Sequence, residues 1–180
     1  PDGTVTRAEF LKMAMDSLGI VGHAYRDGEC LDATNDDWYC YYLQGALDKD
    51  IIPEEMIENC NVTKVTKTLA EATDDKKAVT TDVNVYTGKF DGDKPITREE
   101  MAAIAVRCKN YKMRRLTDWD NERRYPIFSF KDSDEIDEKY ISDVVKAYNL
   151  NYIDGMEDGR FAPKENLTRA QAAVVMNNLK

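Results

Sequence analysis

A Thr-Arg-x-Glu/Gln motif occurs three times in this chain, at Thr6-Arg7-Ala8-Glu9, Thr97-Arg98-Glu99-Glu100 and Thr168-Arg169-Ala170-Gln171. Each copy follows an aliphatic residue (Val5, Ile96, Leu167) and opens an apolar run. Recurrence of this kind means that one supersecondary unit is used repeatedly, which constrains the fold more than any other feature. Locally the motif is a helix start. Threonine suits the N-cap, the Glu or Gln three residues later completes a capping box, and the preceding aliphatic residue can staple onto Phe10, Met101 or Ala172. Helices are therefore expected over Thr6–Leu18, Thr97–Tyr111 and Thr168–Leu179. Phe10, Met13, Ala14 and Leu18, then Met101, Ile104, Ala105 and Cys108, then Ala172, Val175, Met176 and Leu179 form their core stripes.

The arginine is not accounted for by helix physics. A cation in the first turn faces the positive end of the helix dipole, at a cost of ~0.3–1 kcal/mol. Three such arginines imply a partner for the charge. It is either a structural carboxylate from a neighbouring unit or an anionic ligand, to which a guanidinium fork is suited.

A second helical segment precedes two of the motifs. Asp36–Leu47 carries Trp38, Tyr42 and Ala46 at helical spacing, and Glu138–Tyr148 carries Tyr140, Val144 and Ala147. Each follows an apolar-x-Asp element, Cys30-Leu31-Asp32 and Phe130-Lys131-Asp132, and each leads into a loop: Asp50–Pro53 in one case, Ile153–Pro163 in the other. The steps between motif threonines are 91 and 71 residues, longer than the compact third unit requires. The excess falls at about 54–89 and 112–127. In the first insertion, β-branched residues alternate over Val62–Thr68 and Val79–Tyr86 around the polar run Thr73-Asp74-Asp75-Lys76-Lys77, which predicts a β-hairpin. The second insertion reads as a charged surface loop.

The balance of 42% hydrophobic and 33% charged residues is that of a globular chain, and a net charge of −9 argues against nucleic acid. The basic cluster Arg114-Arg115 and Arg123-Arg124 is interrupted by acids, as on a solvated loop. No apolar run reaches the ~18 residues of a membrane span, and the chain opens in mid-unit, as a fragment of a longer protein would. Cys30, Cys40, Cys60 and Cys108 form no CxxC pair and His23 is the only histidine, so neither a zinc site nor a cofactor is expected. Cys108 is expected to be a buried thiol; the redox state is left open. With no nucleophile motif or phosphate-binding loop, no catalytic role is expected.

Together these residues resemble S-layer homology repeats. The third unit carries most of the likeness, through Phe130, Asp132, Ala147, Gly155, Asp158, Gly159, Phe161, Pro163, Leu167, Thr168, Arg169, Ala170 and Gln171. The second contributes Asp32, Trp38, Ala46, Ile51, Ile52, Phe90, Pro95, Ile96, Thr97 and Arg98, and the first only Pro1 to Glu9 with the helix that follows. The resemblance implies a mainly α domain of pseudo-threefold helical repeats over residues 1–180, with a β-hairpin inserted in the second repeat. Its parts would be a partial first repeat at 1–22, a second at 30–111 with its insertion at about 54–89, and a third at 128–180. It also implies noncovalent anchoring of a secreted bacterial protein at the cell wall. The partners would be secondary cell-wall polysaccharide, often pyruvylated and bound in grooves between repeats, and other domains of a larger parent.

On that footing Arg7, Arg98 and Arg169 contact a ligand carboxylate, and Trp38 stacks on a sugar ring. Asp32 and Asp132 accept sugar hydroxyls, order the arginines, or simply cap the helices that follow them. Gln171 replaces the usual acid and Glu99 the usual alanine, so the three motifs are not equivalent. The rival readings are a protein–protein assembly module of a surface layer and a calcium-binding loop. The latter would place Asp158, Gly159 and Glu165 at positions five, six and twelve from Asp154, but Met156 stands at position three, where the loop needs a ligand.

Overall fold

The structure, a computed structural model, describes residues 2–23, 31–34, 36–70, 77–113 and 130–180. Cys30, the turn at 73–76 and the basic cluster Arg114, Arg115, Arg123 and Arg124 lie outside the described residues, as does nearly all of the second insertion.

All three motifs start helices. Thr6 N-caps α1 (Arg7–Ser17) and Thr168 caps α5 (Arg169–Asn178), each with a complete capping box. Ahead of α3 (Arg98–Met113), Thr97 N donates to Glu100 at 3.1 Å and Glu100 N to the Thr97 hydroxyl at 3.4 Å. The aliphatic residues before the motifs tie the units together. Val5 N donates to Leu167 O, Leu167 N to Ile96 O and Ile96 N to Val5 O, each at 2.9 Å, in a closed cycle of buried backbone bonds. The first helical N–H of each motif, which has no partner within its own helix, is also satisfied from outside: Arg7 N by Lys94 O, Arg98 N by Glu165 O and Arg169 N by Gly3 O.

The central helix, α3, is buried continuously from Arg98 to Val106, not along the single stripe expected. It packs between α1 and α4 (Glu138–Asn149), and its small residues Ala102, Ala103 and Ala105 permit close approach on several sides. Fully buried Phe10, Phe90, Phe161, Leu43, Ile51 and Met101 fill the core around it.

The expected helix over Asp36–Leu47 is shorter: α2 runs Cys40–Leu47. The Asp37 carboxylate accepts from Thr34 N at 2.7 Å and from the Thr34 hydroxyl at 2.9 Å, a local turn that competes with helix formation. Trp38 therefore sits in the turn before the helix, not on its stripe, and is 52% exposed.

The mainly α expectation is corrected. Among the described residues, five α-helices accompany an antiparallel sheet of β1 (Glu58–Ala70) and β2 (Val79–Lys89), whose strands run 13 and 11 residues. The described residues combine helices with a long β-ribbon and are not plainly mainly α. The predicted hairpin segments pair through Val62↔Tyr86, Val65↔Val83 and Thr68↔Thr80, and the strands run on to Glu58 and Lys89 at the base. The ribbon's base is held in the core by Ile57 and Tyr86, while Val65 and Val79 farther out are exposed.

Cys40, Cys60 and Cys108 are free thiols, and Cys108 is fully buried, which pushes its thiol pKa up. In the native protein Cys108 will therefore resist iodoacetamide and become labelled only on denaturation; peptide mass spectrometry with and without denaturant checks this.

Candidate functional site

The apolar-x-Asp elements are backbone clamps. Asp132, 5% exposed, accepts from Phe161 N at 2.8 Å and Ala162 N at 2.7 Å, one bond to each carboxylate oxygen. Asp32 does the same for Phe90 N at 2.7 Å and Asp91 N at 3.0 Å, but from an exposed position. In both loops the residue after the phenylalanine is left-handed, with φ 56° at Asp91 and 58° at Ala162. The clamp holds that unfavourable backbone in place.

Each clamped loop presents a carbonyl to a motif arginine. Arg7 Nη1 donates to Phe90 O at 2.6 Å and Arg98 Nε to Phe161 O at 2.7 Å, and both guanidinium groups lie over the phenylalanine rings. Arg7 is further paired with Glu100: its Nε lies 3.3 Å from Oε2, its Nη2 contacts Oε1, and both side chains are 7% exposed. For Arg7, then, the partner is a structural carboxylate from a neighbouring unit. Arg98 instead donates Nη2 to Asp154 O at 2.9 Å, and burial lowers its pKa from the ordinary value.

Arg169 is placed differently. Its side chain is 65% exposed and its nearest carboxylate, Glu9, is 3.7 Å away. Arg169 and Trp38 line one open groove of about 360 Å³, together with Glu9, Lys12 and Met13. Of the six residues expected at the site, the structure brings these two together; Arg7, Arg98, Asp32 and Asp132 lie elsewhere, bonded to the loops.

Lys12 is a member of this groove that sequence reasoning missed. It pairs with Asp16, donates to the Tyr42 hydroxyl at 2.9 Å and sits 4.7 Å from the centre of the Tyr42 ring. The hydrogen bond it donates to Asp16 raises its pKa, so it stays cationic. Its i,i+4 spacing from Asp16 is visible in the sequence; its position beside Trp38 is not. The groove thus offers the half-exposed Trp38 with Lys12, paired with Asp16, and the exposed Arg169 in the same lining.

The acids of the proposed calcium loop are engaged by a cation. Asp158 accepts from Arg160 N at 3.0 Å and from Arg160 Nε at 2.8 Å, and Glu165 lies 3.6 Å from Arg160 Nη1.

The S-layer homology domain family matches residues 129–173. Over 99% of its length the chain is 32% identical to an amylopullulanase of Thermoanaerobacterium thermosulfurigenes, 33% to exoglucanase XynX of Acetivibrio thermocellus and 38% to an endoglucanase of a Bacillus species (strain KSM-635). It spans only 8%, 13% and 15% of those relatives, one part of much longer proteins. These matches support cell-surface anchoring in general as the chain's role, outside the cell. No helix among the described residues is long and apolar enough to cross a membrane.

Proposed function

The chain carries an S-layer homology domain, and from that premise we propose that it holds its parent protein to the cell wall by noncovalent binding of an acidic secondary wall polysaccharide in the groove between Trp38 and Arg169. The observation that carries this reading is the exposed guanidinium of Arg169 beside a half-exposed indole, with Lys12 alongside. Trp38 stacks on a sugar face, while Arg169 and Lys12 meet a carboxylate such as that of a pyruvate ketal. Glu9 in the same groove favours donors on the sugar and disfavours a second negative charge. Arg7, Arg98, Asp32 and Asp132 stand outside this groove and fix the loops on which the units meet.

The protein's own charge of −9 opposes an acidic polymer at long range. Binding consequently depends on the local cations and will weaken with added salt. Calorimetric titration with purified wall polysaccharide tests the proposal. Trp38→Ala is expected to lower affinity at least roughly tenfold with thermal stability unchanged, since the ring is half in solvent. Equal affinity of wild type and Trp38→Ala would remove the groove from the mechanism.

A further inference from the structure

We infer that the β-ribbon is a self-association surface: two copies of the chain pair antiparallel along the open edge of β2, and their ribbons join as one four-stranded sheet. Among the described residues, β1 is the only strand that β2 pairs with. A two-stranded ribbon by itself is marginal in water, and further strands beside an apolar face stabilise it. This ribbon has such a face. The register Val65↔Val83 and Thr63↔Val85, with side chains alternating along each strand, puts Val65, Val79, Val83 and Val85 on one side. Val65 is 38% and Val79 53% exposed. Lys64, Thr66, Asp82 and Asn84 take the other side.

The two edges are built differently. β1 carries Lys64 and Lys67, the kind of side chain with which edge strands keep other chains away. From Val79 to Val85, β2 has no lysine and no proline. Its one charge there, Asp82, is held within the ribbon by Lys64 Nζ at 2.9 Å and the Thr66 hydroxyl at 2.7 Å. Nearer the base, Leu31 N donates to Tyr86 O at 3.3 Å and closes the edge at that point. The open stretch is therefore Val79 to Val85, exposed at Thr80, Asp82 and Asn84.

The occupant that fits this stretch is a second copy, because the stretch is complementary to itself. About a twofold axis at Val83, Val83 meets Val83, Thr81 meets Val85 and Asp82 meets Asn84 of the other copy. No like charges stand opposite each other, and the two valine faces become continuous across the seam. The same operation on β1 would bring Lys64 and Lys67 of both copies to one seam. Pairing through β2 leaves those lysines on the two outer edges, so the assembly closes at two copies and does not extend into a fibre. Seven residues at ~3.3 Å each make an edge of about 23 Å, and two such edges bury less than the ~1,200 Å² of a standard interface. The contact is thus weak in dilute solution and populated where copies are crowded together, as on one cell surface. It does not rest on the Trp38 groove.

Sedimentation equilibrium of the chain from micromolar to millimolar concentration, at low and high salt, tests this, with amide NMR spectra over the same range. Wild type is expected to pass from monomer to dimer, with concentration-dependent shifts centred on Val79 to Val85. Added salt should strengthen the pairing, because it screens the repulsion between two chains of charge −9. That is opposite to its effect on polysaccharide binding. Val83→Lys sets lysine against lysine at the twofold axis and should weaken the dimer by roughly tenfold or more. Val65→Lys makes the same change on the same face but on the guarded strand, and should leave the dimer nearly unchanged. The amide spectra of both variants at low concentration show whether the ribbon is still formed. A wild type that stays monomeric at millimolar concentration overturns the inference whatever the variants do. So does a dimer whose shifts lie outside the ribbon, or a loss in Val65→Lys as large as that in Val83→Lys.

Discussion

Arg7→Ala will destabilise the domain by about 3–5 kcal/mol, the usual consequence of removing one partner from a buried ion pair. Glu100 would be left 7% exposed with its charge uncompensated. The Phe90 carbonyl would lose a donor at 2.6 Å as well. Denaturant unfolding measures the loss, which is a large share of the ~5–15 kcal/mol typical of a domain. Arg7→Ala combined with Glu100→Gln should recover part of it, because the orphaned charge is gone while the cap to Thr97 is kept. Arg169→Ala should change stability by no more than the ~1 kcal/mol of an exposed pair. Equal losses at Arg7 and Arg169 would contradict the division of the three arginines into structural and exposed ones.

Asp132→Ala is the second large effect, at about 2–5 kcal/mol. Two backbone N–H groups, those of Phe161 and Ala162, would lose their acceptor, each at ~1–3 kcal/mol for a buried donor. The left-handed Ala162 would then have nothing to hold it, and the Phe161 carbonyl would move away from Arg98. Asp32→Ala removes the same two bonds from an exposed position, where water can replace them, and should cost clearly less. The comparison is made by unfolding both variants in denaturant. An Asp32 variant as unstable as the Asp132 variant would show that burial is not what sets the cost.

The helix starts were legible because their chemistry is local: Thr6, Thr97 and Thr168 each find their capping partner three residues on. What the arginines do was not legible, because their partners are remote. Arg7 reaches Glu100 and Phe90, 93 and 83 residues away in sequence. Both readings of the arginine, structural carboxylate or ligand, were open at the level of sequence; the fold shows the first at Arg7, while Arg169 stays exposed. Trp38 looked like a stripe residue because Tyr42 and Ala46 follow at helical spacing; the Thr34–Asp37 turn takes it out of the helix and into solvent. The mainly α expectation failed for a different reason. Repeated helix starts reveal the units but carry no information on how far an inserted ribbon extends, and this one has strands of 13 and 11 residues.

The most direct test of the central claim is co-sedimentation of the chain with purified cell walls, before and after the secondary polysaccharide is stripped, for wild type, Trp38→Ala and Arg169→Ala. The proposal predicts that wild type sediments with intact walls and stays in solution with stripped ones, and that each variant sediments weakly even with intact walls. Wild-type sedimentation that survives stripping, or variants that bind intact walls as well as wild type, would contradict it.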